Sequence, residues 1–374
     1  MTGNDASIVD KLKQTLHKNF KLKDLGTMKC FLGMEVSRSD SGIVINQRKY
    51  ALELINNMSL SGARLVSTPF ERNLKLATKE YDDFVTKQSG GDNIVEDPLM
   101  KDPRKYKRLV GRLLYLTIIR SDICYAVNHV SQFMKQPKES HYQAAIRIVR
   151  YIKVNPGEGL FIPRENELKV EAYCDSDWAS CVISRRSVTG YCVKLGKSLI
   201  SWRSRKQKTI SRSSGESEYR AMADAVAELI WLKGLLVELG AKIEQPIELF
   251  CDNEAALHIA ANPVYHERTK DIERDCHLVR EQLQNRLIQV NHLSTIEQLA
   301  DVFTKALGIA QHNYLKGNLG LKDVFGSIEL RRGVEEFNST LATVESNGKK
   351  KMTQNGEFCI MGRNGAQDKR TKIS

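Results

Sequence analysis

Hydrophobic positions change their spacing several times along the chain, and each change marks an element. A helical stretch at residues 8–20 is followed by strand-like runs at 29–37 and 43–47, around the turn Ser39-Asp40-Ser41-Gly42. Leu52, Ile55 and Met58 repeat at helical spacing and predict a second helix over residues 50–58. Residues 76–103 hold few apolar side chains, the pair Gly90-Gly91 and prolines at 98 and 103, which predicts a linker or surface loop. From 105 to 152 the pattern is helical throughout. Leu109, Leu113, Leu116, Ile119, Ile123, Ala126, Val130 and Phe133 form one apolar stripe, and residues 142–151 form another. Asn155-Pro156-Gly157-Glu158-Gly159 then breaks the chain. From Leu168 the period changes to strands, a long helix, a strand and further helices that end near Gly308. Residues 326–374 are rich in Ser, Asn, Gly and Lys without a sustained period, and are expected to be disordered. Within them, Lys349-Lys350-Lys351 reads as a solvated charge run, and Asn338-Ser339-Thr340 as an incidental match to a glycosylation acceptor.

Two strands stop in the same way. One alternates through Leu168, Val170, Ala172 and Cys174 and stops at Asp175; the other runs from Ile247 to Cys251 and stops at Asp252, after which Asn253-Glu254 opens a helix. Carboxyl ends of strands are where α/β sheets place their sites, although a single aspartate there is more often a turn former or helix cap. Between these strands the long helix runs from about Gly215 to Leu239, with Gly240 in the C′ position. Its start, Ser213-Ser214-Gly215-Glu216, fits a capping box, so Glu216 has a structural task. Glu218 has none, yet it lines up with Met222, Ala225 and Leu229 on or beside the inward stripe. A carboxylate facing a core needs a partner, and a metal ion would serve; exposure at the first turn is the alternative. Asp301, in a helical pattern over 297–305, and His292, at a strand-to-loop junction, complete the candidates. Three aspartates and a glutamate would suit magnesium, which prefers hard oxygen ligands, but spacing alone does not bring them together.

Composition narrows the class. Apolar residues are 41% and charged residues 27%, as in ordinary globular protein, and the net charge of +12 points to a polyanionic partner, nucleic acid first. No stretch has the ~20 apolar residues of a membrane helix, and the start shows no secretory signal. Eight cysteines are scattered without a Cys-x-x-Cys, which argues against a zinc ribbon and for an intracellular, reducing location, cytoplasmic or nuclear. Internal repeats are absent.

Residues 168–308 resemble the ribonuclease H domain of Ty1/copia-type retrotransposon Pol polyproteins. The resemblance is carried by AYCDSDWAS at 172–180, RRSVTGYCVKLGKSLISWRSRKQKTISRSSGESEYRAMADA at 185–225, LFCDNEAALHIAANPVYHERTK at 249–270 and HLSTIEQLADVFTKALG at 292–308. It implies that Asp175, Glu218, Asp252 and Asp301 form the catalytic and metal-binding set. Asp175 would bridge a pair of Mg2+ ions (Mn2+ as a substitute), Glu218 and Asp252 would complete one position, and Asp301 would help hold the other. His292 lies near the mobile histidine loop of related enzymes. DLGTMKCFLGMEVSRSDSGIVINQRKYALELI at 24–55 and YKRLVGRLLYLTIIRSDICYAVNHVSQFM at 106–134 resemble the end of the same polyprotein's reverse transcriptase. The start, MTGND, looks like the segment after the polymerase Tyr-x-Asp-Asp hairpin. Tyr81-Asp82-Asp83 is a decoy in an acidic stretch without strand pattern, so DNA synthesis is not expected. Asp271 and Ala306 stand where the family mostly has histidine and proline; neither is a metal ligand in this scheme.

The expected fold is therefore α/β: a ribonuclease H-like mixed five-stranded sheet flanked by helices over residues 166–310. It would follow the end of a reverse-transcriptase palm and start of the thumb (1–75), a linker (76–103) and a mainly helical thumb- or connection-like segment (104–160). Arg185, Arg186, Arg203, Arg205, Lys206, Lys208 and Arg212 are expected to hold the phosphate backbone of an RNA·DNA hybrid, against the alternative of a solvated strand edge. Trp178 is assigned to core packing ahead of stacking on substrate, and Trp202 and Trp231 to the core. The expected activity is Mg2+-dependent cleavage of the RNA strand of the hybrid; the rival is a catalytically inactive nucleic-acid-binding remnant.

Overall fold

The computed structural model describes residues 6–20, 26–88, 97–262 and 272–323. The tail at 326–374, Gly90-Gly91 and Asp271 lie outside them. Helix α1 (Ala6–Asn19) leads into a small antiparallel sheet of β1 (Cys30–Phe31), β2 (Met34–Ser39) and β3 (Gly42–Asn46), then α2 (Arg48–Asn57) and α3 (Lys79–Gln88). Helices α4 (Pro103–Leu116), α5 (Cys124–Ser131) and α6 (Glu139–Ile152) follow, and then strand β4 (Glu158–Pro163).

The apolar stripe expected over 109–133 is buried at every position. It is divided between α4 and α5 by a bend and a single 3-10 turn at Ser121–Ile123, because Arg120 turns back to bind Asp122. Together with Leu54, Ile55, Ile148 and Ile152 from α2 and α6, all of the stripe residues except Ile119, which packs in a separate cluster, make the first core. The expected linker is corrected. Residues 79–88 are helical, Met100 is buried, and Lys138 of the α5–α6 connection pairs with both Asp82 and Asp97 (2.8 Å to the latter). Tyr81-Asp82-Asp83 lies on α3, away from any strand.

The second sheet comprises β5 (Val170–Asp177), β6 (Val188–Leu195), β7 (Ser198–Lys206), β8 (Ile247–Cys251) and β9 (Ile288–His292), in the order β7-β6-β5-β8-β9. The β7, β6 and β5 pairings are antiparallel; β5 with β8 and β8 with β9 are parallel. This is the mixed five-stranded sheet that was expected. Helix α7 (Ser214–Glu238) crosses from β7 to β8, while α8 (Glu254–Ala261) and α9 (Glu273–Gln284) connect β8 to β9. The inward stripe of α7 (Met222, Ala225, Val226, Leu229) packs on Ala172, Cys174, Val193 and Leu249 to form the second core. Gly240 closes the helix at φ +79°, a conformation that favours glycine.

The chain then returns. After β9 come 3-10 turns at Thr295–Glu297 and Leu299–Phe303, helix α10 (Ile309–Asn318) and strand β10 (Leu321–Asp323). Strand β10 pairs with β4, completing the first sheet in the order β1-β2-β3-β4-β10. A third core lies where the units meet and holds Leu160, Cys192, Leu199, Val302, Phe303, Leu315 and Leu321. A buried ion group reinforces this closure. Arg120 pairs with Asp122 (2.7 Å) and Glu158 (3.1 Å), and Lys316 of α10 reaches Glu158 at 2.8 Å. The Tyr151 hydroxyl donates to Asp122 at 2.7 Å. Elements that follow the second sheet are thus locked onto elements that precede it, so an end to regular structure near Gly308 is also corrected.

Two tryptophans depart from expectation. Trp231 is 60% exposed, since it lies off the inward stripe of α7. Trp178 is 47% exposed and donates its indole N–H to the Ser211 carbonyl at 3.1 Å. Trp202 does pack against the third core and donates to the Thr117 carbonyl at 3.2 Å. All seven cysteines among the described residues are free, and Cys174, Cys192 and Cys251 act as buried apolar side chains.

Candidate metal centre

Sheet register brings the first two carboxylates together. Parallel neighbours β5 and β8 pair Tyr173 with Phe250, so Asp175 and Asp252 each lie two residues further along adjacent strands. Strands in a sheet run ~4.8 Å apart, which sets the separation of such groups. Asp301 joins from the Leu299–Phe303 turn, and the carboxylate oxygens of Asp175, Asp252 and Asp301 lie within 4.8 Å of one another. Glu218, on the first turns of α7, comes within the same 4.8 Å of Asp252 and the Cys251 thiol. All four sequence-predicted acids therefore meet in one pocket. The turn carrying Asp301 is 3-10, because Gln298 ends the preceding turn and caps this one through the Ala300 N–H.

The surrounding residues explain how so much charge is held in place. Ser213 caps α7 through the Glu216 N–H, and the Glu216 carboxylate accepts from the Arg212 N–H at 2.8 Å, so Glu216 has the structural role expected of it. Buried Gln207 donates to Thr189 (3.0 Å) and to the Ser217 carbonyl (2.9 Å), clamping the start of α7 against the sheet beside Glu218. Gln298, fully buried, donates to the Cys174 carbonyl at 3.0 Å and so ties the Asp301 turn to β5 next to Asp175. Thr304 donates its hydroxyl to Asp175 Oδ2. Gly190 lies opposite Asp175 in the β5–β6 register, and a Cβ there would come 2.6 Å from Thr304 Cγ2 and 2.8 Å from Phe303 Cβ. Only a glycine lets the turn lie this close to the strand.

Lys305 is the principal residue that sequence reasoning missed. Its ammonium lies 2.8 Å from Asp301 Oδ1 and 3.2 Å from Asp175 Oδ1. The i, i+4 spacing of Asp301 and Lys305 was a usable signal for a pair, but not for its position inside the pocket. Gln298 and Thr304 have no comparable spacing signal.

A single lysine leaves the pocket strongly negative. Burial and then the neighbouring Asp175 hold the Glu218 carboxyl well above the usual carboxylate range. The same two causes push Asp301 up to about 7, against the opposing pull of Lys305. Burial would lower the pKa of Lys305, but Asp175 and Asp301 outweigh it and raise the group above its ordinary value. Glu218 is only 5% exposed, and its Oε2 has no hydrogen-bond partner. A buried carboxylate oxygen without a donor, aimed at further carboxylates, is costly unless a cation completes it. The donor set fits a hard divalent cation. The four carboxylates supply oxygens, and Cys251 lies at the end of an apolar strand.

The remaining candidates are spread out. His292 is exposed at the end of β9, paired in register with Cys251, and does not join the acid cluster. Arg203 and Arg205 project from edge strand β7; Arg205, Lys206 and Lys208 line a 220 Å³ cavity with Arg220, Asp224 and Asp275. Lys206 also reaches Gln132 of the first unit at 3.1 Å. Arg185 and Arg186 are exposed on the β5–β6 connection, and Arg212 is exposed just before α7. No helix among the described residues is long and apolar enough to cross a membrane.

Residues 1–72 match the family described as reverse transcriptase (RNA-dependent DNA polymerase). The retrovirus-related Pol polyprotein from transposon RE1 of Arabidopsis thaliana is 38% identical over 324 residues, which is 87% of this chain and 21% of that protein. An uncharacterized mitochondrial protein of the same plant is also 38% identical, over 62% of this chain and 89% of its own length. The chain belongs to the Pol polyprotein family of copia-type retrotransposons. It spans about a fifth of the length of the RE1 Pol polyprotein. Its second unit is the mixed five-stranded sheet flanked by helices, with the strand order given above. Among solved structures, LC11-RNase H1 in complex with an RNA/DNA hybrid is 13% identical and covers 36% of this chain and 94% of its own, at a TM-score of 0.29. A score that low adds nothing to the strand order.

Proposed function

We propose that this Pol segment is a divalent-metal-dependent endoribonuclease that hydrolyses the RNA strand of RNA·DNA hybrids. The observation that carries the reading is the acidic pocket: three aspartates with oxygens within 4.8 Å of one another, and a buried glutamate oxygen that lacks a donor. Asp175, Glu218, Asp252 and Asp301 would hold Mg2+, with Mn2+ as a substitute. When bound, the metal would lower the pKa of an attacking water and offset charge on the leaving oxygen.

The chain's own groups supply the rest. Gln298 and Thr304 fix the Asp301 turn and the Asp175 carboxylate before substrate arrives, which removes a reorganisation cost from the reaction. Arg185, Arg186, Arg203, Arg205, Lys206, Lys208 and Arg212 would hold the phosphate backbone without reading sequence. A hybrid would be told from duplex DNA by its 2′-hydroxyls and groove shape. Trp178, three residues after Asp175 and half-exposed, would be a side chain on which a sugar or base could stack.

A labelled hybrid incubated with purified protein and Mg2+ tests this reading. Cleavage of the RNA strand, abolished by Asp175→Asn while hybrid binding persists, is the expected result. Salt-sensitive binding with no cleavage under any divalent ion would refute it and leave the inactive-remnant reading. Tyr81-Asp82-Asp83 lies on helix α3 and so is not a strand hairpin of the polymerase type.

A further inference from the structure

The pocket divides into two halves that differ in what already fills them. On one side both oxygens of Asp175 accept hydrogen bonds, Oδ2 from Thr304 and Oδ1 from Lys305, and the same ammonium meets Asp301 Oδ1 at 2.8 Å. Asp252, which lies within 4.8 Å of the Asp175 and Asp301 oxygens and also of Glu218, accepts from Thr295 at 2.9 Å, while on the other side Glu218 Oε2, 5% exposed, meets no donor.

We propose that Lys305 acts as a built-in cation of the Asp175–Asp301 half, so that divalent ions enter in a set order. The first binds tightly at Glu218 and Asp252, and a second binds at Asp175 and Asp301 only by displacing the ammonium. The inference rests on reading the pocket as a divalent-cation site. Its physical basis is competition. Ammonium and divalent cation seek the same carboxylate oxygens, and a charge-assisted hydrogen bond must break before the second ion is seated. The backbone holds Lys305 in place, with its N–H on the Asp301 carbonyl at 3.0 Å, so displacement is a matter of the side chain alone. That side chain is 32% exposed, which gives the ammonium a path toward solvent, where a substrate phosphate would next meet it. Lys305 thereby links the loading of the second position to the arrival of the polyanion: phosphate that engages the ammonium frees the two aspartates.

Mn2+ titration of the full chain, followed by electron paramagnetic resonance and calorimetry, tests the order without relying on cleavage. Wild-type protein should bind one Mn2+ tightly and a second more weakly. Lys305→Met should tighten the second by roughly tenfold or more, the scale of one lost charge-assisted hydrogen bond, and the first by much less. Lys305→Arg, which keeps the cation, should preserve the separation, and Glu218→Gln should remove the tight ion. Equal tightening of both ions in Lys305→Met, or no change in either, would overturn the inference. So would two ions of equal affinity in the wild type. Absence of any bound Mn2+ would end the cation-site reading as well. Ordered Mn2+ binding without hybrid cleavage would instead uphold the inference and end the nuclease reading.

Discussion

Replacing Glu218 with glutamine should move stability in opposite directions with and without divalent metal. The carboxylate is nine-tenths buried or more, faces Asp252 within 4.8 Å and has an oxygen without a donor, so it repels its surroundings when no cation is present. At 4.8 Å and an effective dielectric of about 20, a pair of unit charges repels by roughly 3.5 kcal/mol. Glu218 keeps its proton well above the usual carboxylate range, so only part of that cost is carried near neutral pH. About 1–2 kcal/mol of relief is a reasonable expectation for the isosteric amide. For a unit of this size that corresponds to a rise in Tm of roughly 3–6 °C in EDTA. Added Mg2+ should raise the wild-type Tm, by about 2.7 kcal/mol of stabilisation when the ion is at a hundred times its Kd, and should leave Glu218→Gln nearly unmoved. Differential scanning calorimetry at pH 8, with EDTA and with Mg2+, measures both effects. A variant that is less stable than wild type in EDTA, and is still stabilised by Mg2+, would show that Glu218 is an ordinary core residue and that the reasoning is wrong.

Further outcomes follow from the same contacts. Asp301 keeps its proton in the metal-free folded protein up to about 7, whereas the unfolded carboxyl releases it near 3.8. The folded state therefore binds more protons across that window, and metal-free stability should fall as pH rises through it. Mg2+-induced stabilisation should grow over the same range, because the ion displaces the proton; melts from about pH 5 to pH 8 with and without Mg2+ would reveal a flat profile if this is incorrect. Gly190→Ala should cost roughly 1–3 kcal/mol in urea unfolding, because the new methyl would sit 2.6 Å from Thr304 Cγ2 and force the Asp301 turn away. It should also weaken Mn2+ on the Asp175–Asp301 side more than on the Glu218 side; unchanged stability and binding would show the close approach to be unimportant. Arg120→Met leaves Asp122 and Glu158 buried with their main partner gone, and should destabilise by about 3–5 kcal/mol, read from the urea midpoint. A loss under 1 kcal/mol would mean that the ion group does not secure the closure of α10 and β10 on the first unit.

What could be read before the structure was known was local. The strand end before Asp252 was visible because the pattern turns helical there, and the capping of α7 separated Glu216 from Glu218. The first strand, expected to stop at Asp175, instead runs on to Asp177, because Ser176 and Asp177 still pair with Thr189 and Val188 of β6. Convergence of the four acids was not visible, because it depends on β5 and β8 becoming parallel neighbours across more than 70 residues of chain. The first sheet was harder still. Strand β10 joins β4 from some 160 residues away, and neither short run carries a distinct pattern by itself. Residues 76–103 looked like a linker because their contacts are polar: Asp82 and Asp97 on Lys138 replace the apolar stripe that would have announced packing. Trp231 was misplaced by size alone; its position relative to Met222, Ala225 and Leu229 puts it outside the buried face. Lys305 was passed over because a lysine four residues after an aspartate usually makes a surface pair.

Anomalous diffraction from crystals soaked in Mn2+ bears most directly on the acidic pocket. A peak bounded by Glu218 and Asp252 oxygens, absent from Glu218→Gln crystals grown in the same way, is the predicted result. Ordered carboxylates with no anomalous density among them, at saturating Mn2+, would contradict the assignment of a divalent-cation centre.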